Sequence, residues 1–87
     1  MIKQWSDKAW NGLSYWINHD RKITGRILML IEDIDRNGYK GYGKPEPLKG
    51  DLSGYWSRRI DKENRLVYQI ESDRILIIQC GTHYGDK

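Results

Sequence analysis

The stretch from Gly38 to Gly54 divides the chain into a helical half and a β-rich half. It is broken by seven residues, namely Gly38, Gly41, Gly43, Gly50, Gly54, Pro45 and Pro47. Proline removes a backbone donor and glycine weakens any regular element, so we predict an irregular loop here. A loop of about 15 residues without its own structure is uncommon in a compact domain and is often functional.

Before this loop, apolar residues recur with helical spacing. Ser6 is a predicted N-cap, and the stripe of residues 7–18 comprises Ala9, Leu13, Trp16 and Ile17. Asp20 is the predicted cap of a second helix, which stops at Asn37-Gly38 and carries the stripe Ile23, Ile27, Leu30, Ile31 and Ile34. A short strand, Ile2–Trp5, is predicted ahead of both helices.

After the loop come three short runs rich in β-branched and aromatic residues. They are "YWSRRI" (55–60), "NRLVYQI" (64–70) and "RILIIQC" (74–80), and short polar turns separate them. Short turns predict an antiparallel meander. We therefore predict one α+β domain over residues 1–87, with two N-terminal helices packed on one face of a small, mainly antiparallel sheet. The other face stays free.

The charge and the cysteine count narrow the class of protein. Fifteen lysines and arginines stand against twelve acidic residues, and residues 38–70 carry the excess. Basic residues interleaved with Tyr39, Tyr42, Tyr55 and Trp56 suit RNA, although charge alone favours the simpler interpretation of a solvated basic surface. Cys80 is the only cysteine, and no apolar run approaches a membrane span. We expect a cytoplasmic protein without a membrane partner.

Glu46 is the first candidate for chemistry because it lies between Pro45 and Pro47. The two prolines restrict the backbone around it. Lys44 and Lys49 lie in the same loop and should keep the carboxylate ionised. The simpler alternative is a salt bridge on an exposed turn.

The remaining candidates are Arg65, His83, Tyr84 and the pair Arg58-Arg59. Each one alone is most simply a solvated or ion-paired side chain. Together with Glu46 they provide a carboxylate, a histidine and phosphate-binding cations, which suffice to cleave RNA by general acid–base catalysis. No cofactor or metal is predicted, because two histidines and one cysteine show no zinc-ligand spacing.

The motifs "GKPEPLKGDLSGYWSRRID", "NRLVY" and "CGTHY", together with "WSDKAWNGLSYW" near the N-terminus, resemble the YoeB/Txe toxins of the RelE superfamily. The likeness extends to about Tyr84. It implies a microbial-ribonuclease-like, RelE-type fold and a metal-independent endoribonuclease that cuts messenger RNA in the ribosomal A site. It also implies a cognate antitoxin, contact with operator DNA only through the antitoxin complex, and allows a homodimer.

The resemblance further implies roles for individual residues. Glu46 corresponds to the general base, Arg65 to the phosphate-stabilising arginine and His83 to the general acid. Lys49 is the supporting lysine and Tyr84 the aromatic near the scissile bond. Lys44, Arg58 and Arg59 are expected to bind RNA phosphate. The alternative is an RNA- or ribosome-binding module without chemistry, in which Glu46 is only a salt-bridge partner.

Overall fold

The computed structural model describes residues 1–81. In chain order the elements are β1 (Ile2–Trp5), α1 (Asp7–His19), α2 (Arg21–Asn37), β2 (Glu46–Pro47), a single 3-10 turn (Gly50–Leu52), β3 (Trp56–Arg59), β4 (Arg65–Glu71) and β5 (Arg74–Cys80). The predicted strand, the two helices and the three later strands are confirmed. Neither helix is long and apolar enough to cross a membrane.

A side chain caps the N-terminus of each helix. A single residue, Asp20, separates α1 from α2. The Ser6 hydroxyl accepts a hydrogen bond from the backbone N–H of Ala9 at 3.1 Å. The Asp20 carboxylate accepts from the N–H groups of Lys22 and Ile23 at 3.0 and 3.1 Å. These bonds satisfy backbone donors that have no partner inside a helix, so both predicted caps are confirmed.

The apolar stripes of the helices form the core with one face of the sheet. Both helices lie against the same side, as predicted, and the core residues they bury are Ala9, Leu13, Trp16, Ile27, Leu30, Ile31 and Ile34. Ile17 was expected on the buried face of α1, but its side chain is 56% exposed. The prediction for Ile17 is wrong, because Ile17 lies at the edge of the stripe formed by Ala9, Leu13 and Trp16.

The strands form one sheet in the order β1-β5-β4-β3-β2. β3, β4 and β5 make the predicted antiparallel meander, and β1 adds to β5 in parallel. The register of β4 and β5 shifts so that Val67 pairs with Gln79 and Tyr68 with Ile77. This bulge inserts one residue, and Ile77 and Cys80 therefore both face the helices although they are three residues apart.

The loop between the helices and the meander is partly regular. Glu46 pairs with Ser57 and Pro47 with Trp56, so β2 is an edge strand. The backbone N–H of Arg59 also donates to the Gly43 carbonyl at 2.7 Å. The prediction of a wholly irregular loop is wrong, because an edge strand tolerates proline where no outward donor is needed.

Candidate active site

The free face of the sheet brings Glu46 and Arg65 together. Glu46 on β2 lies opposite Ser57 on β3, and Ser57 lies opposite Val67 on β4. Arg65 shares a face with Val67, because alternate residues of a strand point the same way. Glu46 Oε1 and Arg65 Nη1 are 3.8 Å apart, and Arg65 Nη1 donates to Ser57 Oγ at 3.4 Å. Two residues from distant parts of the sequence thus form one site.

Both side chains of this pair are accessible from solvent. The Glu46 side chain is 55% exposed and that of Arg65 is 35% exposed. An exposed ion pair in high dielectric is weak, so its two members separate at little cost. A ligand that approaches this face from solvent can therefore reach both side chains.

Three further predicted cations lie close to the pair in the sequence or in the sheet, since Lys44 and Lys49 flank Glu46 in the chain and Arg59 pairs with Arg65 across β3 and β4. Lys44, Lys49 and Arg59 are all exposed. Lys44 has a left-handed backbone with φ of 51°, immediately before the Pro45–Pro47 segment. Lys49 immediately precedes the 3-10 turn. Their exposure is compatible with phosphate binding, and that role stays a prediction.

Arg58 does not lie on the accessible surface. Its side chain is fully buried and faces the helices, where it pairs with Asp33 of α2. Its guanidinium also donates to the Tyr68 hydroxyl at 3.2 Å. Three backbone carbonyls accept from it as well, that of Tyr42 at 3.1 Å, that of Gly38 at 2.8 Å and that of Lys40 at 2.7 Å. We correct the phosphate-binding prediction for Arg58 to a structural role, because every donor of its guanidinium is occupied inside the fold.

Asp33 was not identified from the sequence. Its carboxylate accepts from Arg58, from Asn37 Nδ2 at 2.8 Å and from the Tyr42 backbone N–H at 3.1 Å. The hydrogen bond from Arg58 is the main reason that the pKa of Asp33 lies below its usual range. Gly41 passes so close that any Cβ there would collide with Asp33 Oδ2. We refer to Asp33 and Arg58 as the buried clamp, since they fix residues 38–42 to α2 and β3.

Two of the aromatics expected to suit RNA, Tyr39 and Trp56, are partly buried and pack against the core instead. Tyr39 and Trp56 stack with ring centroids 4.5 Å apart, and Tyr39 also stacks on Tyr68. The Tyr39 hydroxyl accepts from the Ile70 backbone N–H at 2.8 Å. These rings close the core beneath the loop, whereas Tyr42 is exposed.

His83 and Tyr84 lie outside the described residues, so their roles stay predictions. The described chain ends beside the site, because the Gly81 N–H donates to the Arg65 carbonyl at 2.9 Å. Gly81 has φ of 107° and lies against the Trp16 indole, where a Cβ would be 2.8 Å from Nε1. Over residues 1–81, no three His, Cys, Asp or Glu side chains converge on a position suitable for a metal ion.

Comparison of sequences identifies relatives over nearly the whole chain. A family described as "YoeB-like toxin of bacterial type II toxin-antitoxin system" matches residues 5–84. The chain is 57% identical over 76 residues to Toxin YoeB of Streptomyces coelicolor, covering 87% of this chain and 90% of the relative. It is 49% identical over 80 residues to Toxin YoeB of Escherichia coli K12, covering 92% and 95% respectively.

Solved structures agree with this result. The fold is similar to a YoeB/ParE toxin from Agrobacterium tumefaciens, with a TM-score of 0.92, 42% identity and coverage of 97% of this chain and 100% of the other. It is also similar to YoeB in a YoeB–YefM complex and in a YoeB dimer, both from Staphylococcus aureus. Their TM-scores are 0.91 and 0.90 at 41% and 42% identity, with coverage of 97% of this chain and 98% of each structure.

Proposed function

This chain belongs to the YoeB-like toxins of bacterial type II toxin–antitoxin systems, and from that premise we propose that it is an endoribonuclease that cleaves messenger RNA in the ribosomal A site. The observation that carries the proposal is the pairing of Glu46 with Arg65, 3.8 Å apart on the open sheet face. A carboxylate beside an arginine, both reachable by RNA, provides a base and a phosphate-binding cation.

The proposed reaction is an intramolecular transesterification. Glu46 accepts the proton of a 2′-hydroxyl, and that oxygen forms a bond to the adjacent phosphorus. The bond from phosphorus to the 5′-oxygen breaks, and His83 donates a proton to the departing oxygen. Arg65, with Lys49 and other exposed cations near it, stabilises the charge that develops on the phosphate. The products are a 2′,3′-cyclic phosphate and a 5′-hydroxyl, and the side chains alone supply the chemistry.

The openness of the face supports a role for the ribosome. Glu46 and Arg65 lie on a sheet surface where a flexible RNA would be poorly oriented. Orientation of the reacting groups can be worth about 7–11 kcal/mol, and a messenger held in the A site would gain it. In this proposal Tyr84 packs near the scissile bond. The proposed place of action is the cytoplasm.

The proposed partners follow from the solved assemblies of relatives. The YoeB–YefM complex supports a cognate antitoxin, and the YoeB dimer supports self-association of this chain. Contact with operator DNA is proposed only through the antitoxin complex.

The test is cleavage of messenger RNA on programmed ribosomes by the wild type, Glu46→Gln and the matched control Glu32→Gln, which alters an exposed glutamate on α2. We expect cleavage by the wild type and the control, loss of cleavage by Glu46→Gln, and products with a 5′-hydroxyl and a cyclic phosphate. A 5′-phosphate product would refute the transesterification. Ribosome binding without cleavage by the wild type would indicate a binding module.

A further inference from the structure

Tyr42 is a large aromatic residue that the fold leaves in solvent. It is 64% exposed, the highest value among the large hydrophobic side chains of residues 1–81. Tyr39, three residues earlier in the same loop, packs into the aromatic stack with Trp56. The loop therefore directs one tyrosine inward and the other outward.

The backbone of Tyr42 is held by the buried clamp. Its N–H donates to Asp33 Oδ2 at 3.1 Å, and its carbonyl accepts from Arg58 Nη1 at 3.1 Å. Gly41 and Gly43 on either side have φ of 126° and 83°, which side chains rarely allow. An exposed loop tip is commonly mobile, but here both polar backbone groups of one residue are tied to a buried ion pair. A side chain presented from a fixed backbone loses less entropy on binding.

The sequence around Tyr42 is basic. Lys40 and Lys44 are exposed two residues away on either side, and no acidic residue lies between them. Among residues 1–81, Asp33 is the carboxylate bonded to the Tyr42 backbone, and it is paired with Arg58. Exposed Arg59 follows Arg58 and bonds through its backbone to Gly43. An aromatic ring among cations matches single-stranded nucleic acid, where bases stack on rings and phosphates meet lysines.

We propose that Tyr42 stacks on an unpaired base of single-stranded RNA while Lys40 and Lys44 contact its phosphates. The inference rests on the proposed function, since it adds a binding position outside the cleavage site. Tyr42 is four residues from Glu46, so their Cα atoms are at most about 14 Å apart. The same chemistry fits a base of the messenger or a base of ribosomal RNA.

The first arm of the test uses a single-stranded 2′-O-methyl RNA oligonucleotide, which lacks the 2′-hydroxyl nucleophile and cannot be cleaved. Filter binding compares the wild type with Tyr42→Ala, Tyr42→Phe and the control Trp10→Ala, an exposed aromatic on α1. We expect Tyr42→Ala to weaken binding by about 5- to 150-fold. Tyr42→Phe should bind as the wild type does. An oligonucleotide with abasic positions should abolish the difference between Tyr42→Ala and the wild type.

The second arm separates the two sources of the base. Co-sedimentation is measured with ribosomes that carry a 2′-O-methyl messenger and with ribosomes that carry none. Weaker binding of Tyr42→Ala to both kinds would assign the base to ribosomal RNA, and weaker binding only to programmed ribosomes would assign it to the messenger. Thermal unfolding of each variant verifies that the fold is retained.

The inference would be overturned if Tyr42→Ala and the wild type had equal affinity for the intact oligonucleotide, for ribosomes with messenger and for ribosomes without it. A Tyr42→Phe variant that binds as weakly as Tyr42→Ala would also overturn it. These results are independent of cleavage. A wild type that binds through Tyr42 without cutting would refute the proposed function alone. Cleavage lost in Glu46→Gln together with unchanged binding by Tyr42→Ala would refute this inference alone.

Discussion

Removal of the Asp33 carboxylate is expected to destabilise the fold severely. In Asp33→Ala the buried Arg58 guanidinium keeps three carbonyls and a tyrosine hydroxyl but loses its counter-ion. Breaking a buried ion pair on one side costs about 3–5 kcal/mol. A typical domain has a total stability of about 5–15 kcal/mol. At about 4–8 °C per kcal/mol for a chain of this size, the melting temperature should fall by about 12–40 °C.

Urea unfolding followed by tryptophan fluorescence measures this loss. The midpoint should fall while the slope stays the same, which identifies a change in stability. The control is Asp35→Asn, which alters the solvent-accessible partner of Lys3 and the N-terminal amine, and its midpoint should shift much less. A loss below about 1 kcal/mol in Asp33→Ala would refute the reasoning, because it would place the pair in the weak, solvent-screened class.

The pH dependence tests the same pair through Asp33→Asn. Arg58 lowers the pKa of Asp33 in the folded state, so the folded protein binds fewer protons at this site than the unfolded chain does. The resulting stabilisation is complete above the ordinary carboxyl pKa of about 3.9 and is lost as the pH falls toward the lowered value. The stability difference between the wild type and Asp33→Asn should therefore shrink below about pH 4. An unchanged difference at low pH would contradict this assignment.

Three further changes test the site and its borders. Arg65→Ala should lower the cleavage rate on programmed ribosomes by about 100-fold or more, with little change in melting temperature because its ion pair is exposed; parallel losses of rate and stability would make Arg65 structural. A chain truncated after Gly81 should keep its circular dichroism spectrum and lose nearly all cleavage, and a nearly full rate would exclude His83 as the acid. Burial raises the pKa of the Cys80 thiol to about 12, so iodoacetamide should alkylate it in urea but not in the native protein at neutral pH; fast native alkylation would contradict its burial.

Local signals in the sequence predict the helical half well. Ser6, Asp20 and Gly38 mark the helix boundaries because each one bonds to backbone groups within four residues of itself. Pairing of strands depends on distant partners, and the sequence alone does not specify them. The parallel addition of β1 to β5 and the pairing of Glu46 with Ser57 could not be predicted for this reason.

The site was predicted in part. The Glu46 and Arg65 candidates do meet on the free face, although their distance depends on a register that the sequence does not reveal. The error at Arg58 was avoidable, because adjacent residues of a strand point to opposite faces and only one of Arg58 and Arg59 can face RNA. Asp33 lies within the apolar stripe of α2, next to Ile34, and an acidic residue at such a position indicates a buried cation as its partner.

The position of β5 in the sheet has a consequence for how the chain is made. β5 is the last strand in the described sequence, yet it lies between β1 and β4 in the sheet. The buried face of α1 packs against β5, where Trp16 Nε1 donates to the Cys80 carbonyl. Contacts between such distant segments slow folding, since the long intervening chain must close first. During synthesis the helices and the first part of the meander emerge before the strand that completes their core. The nascent toxin therefore cannot assemble the sheet that carries Glu46 and Arg65 in its final form until translation has passed Cys80.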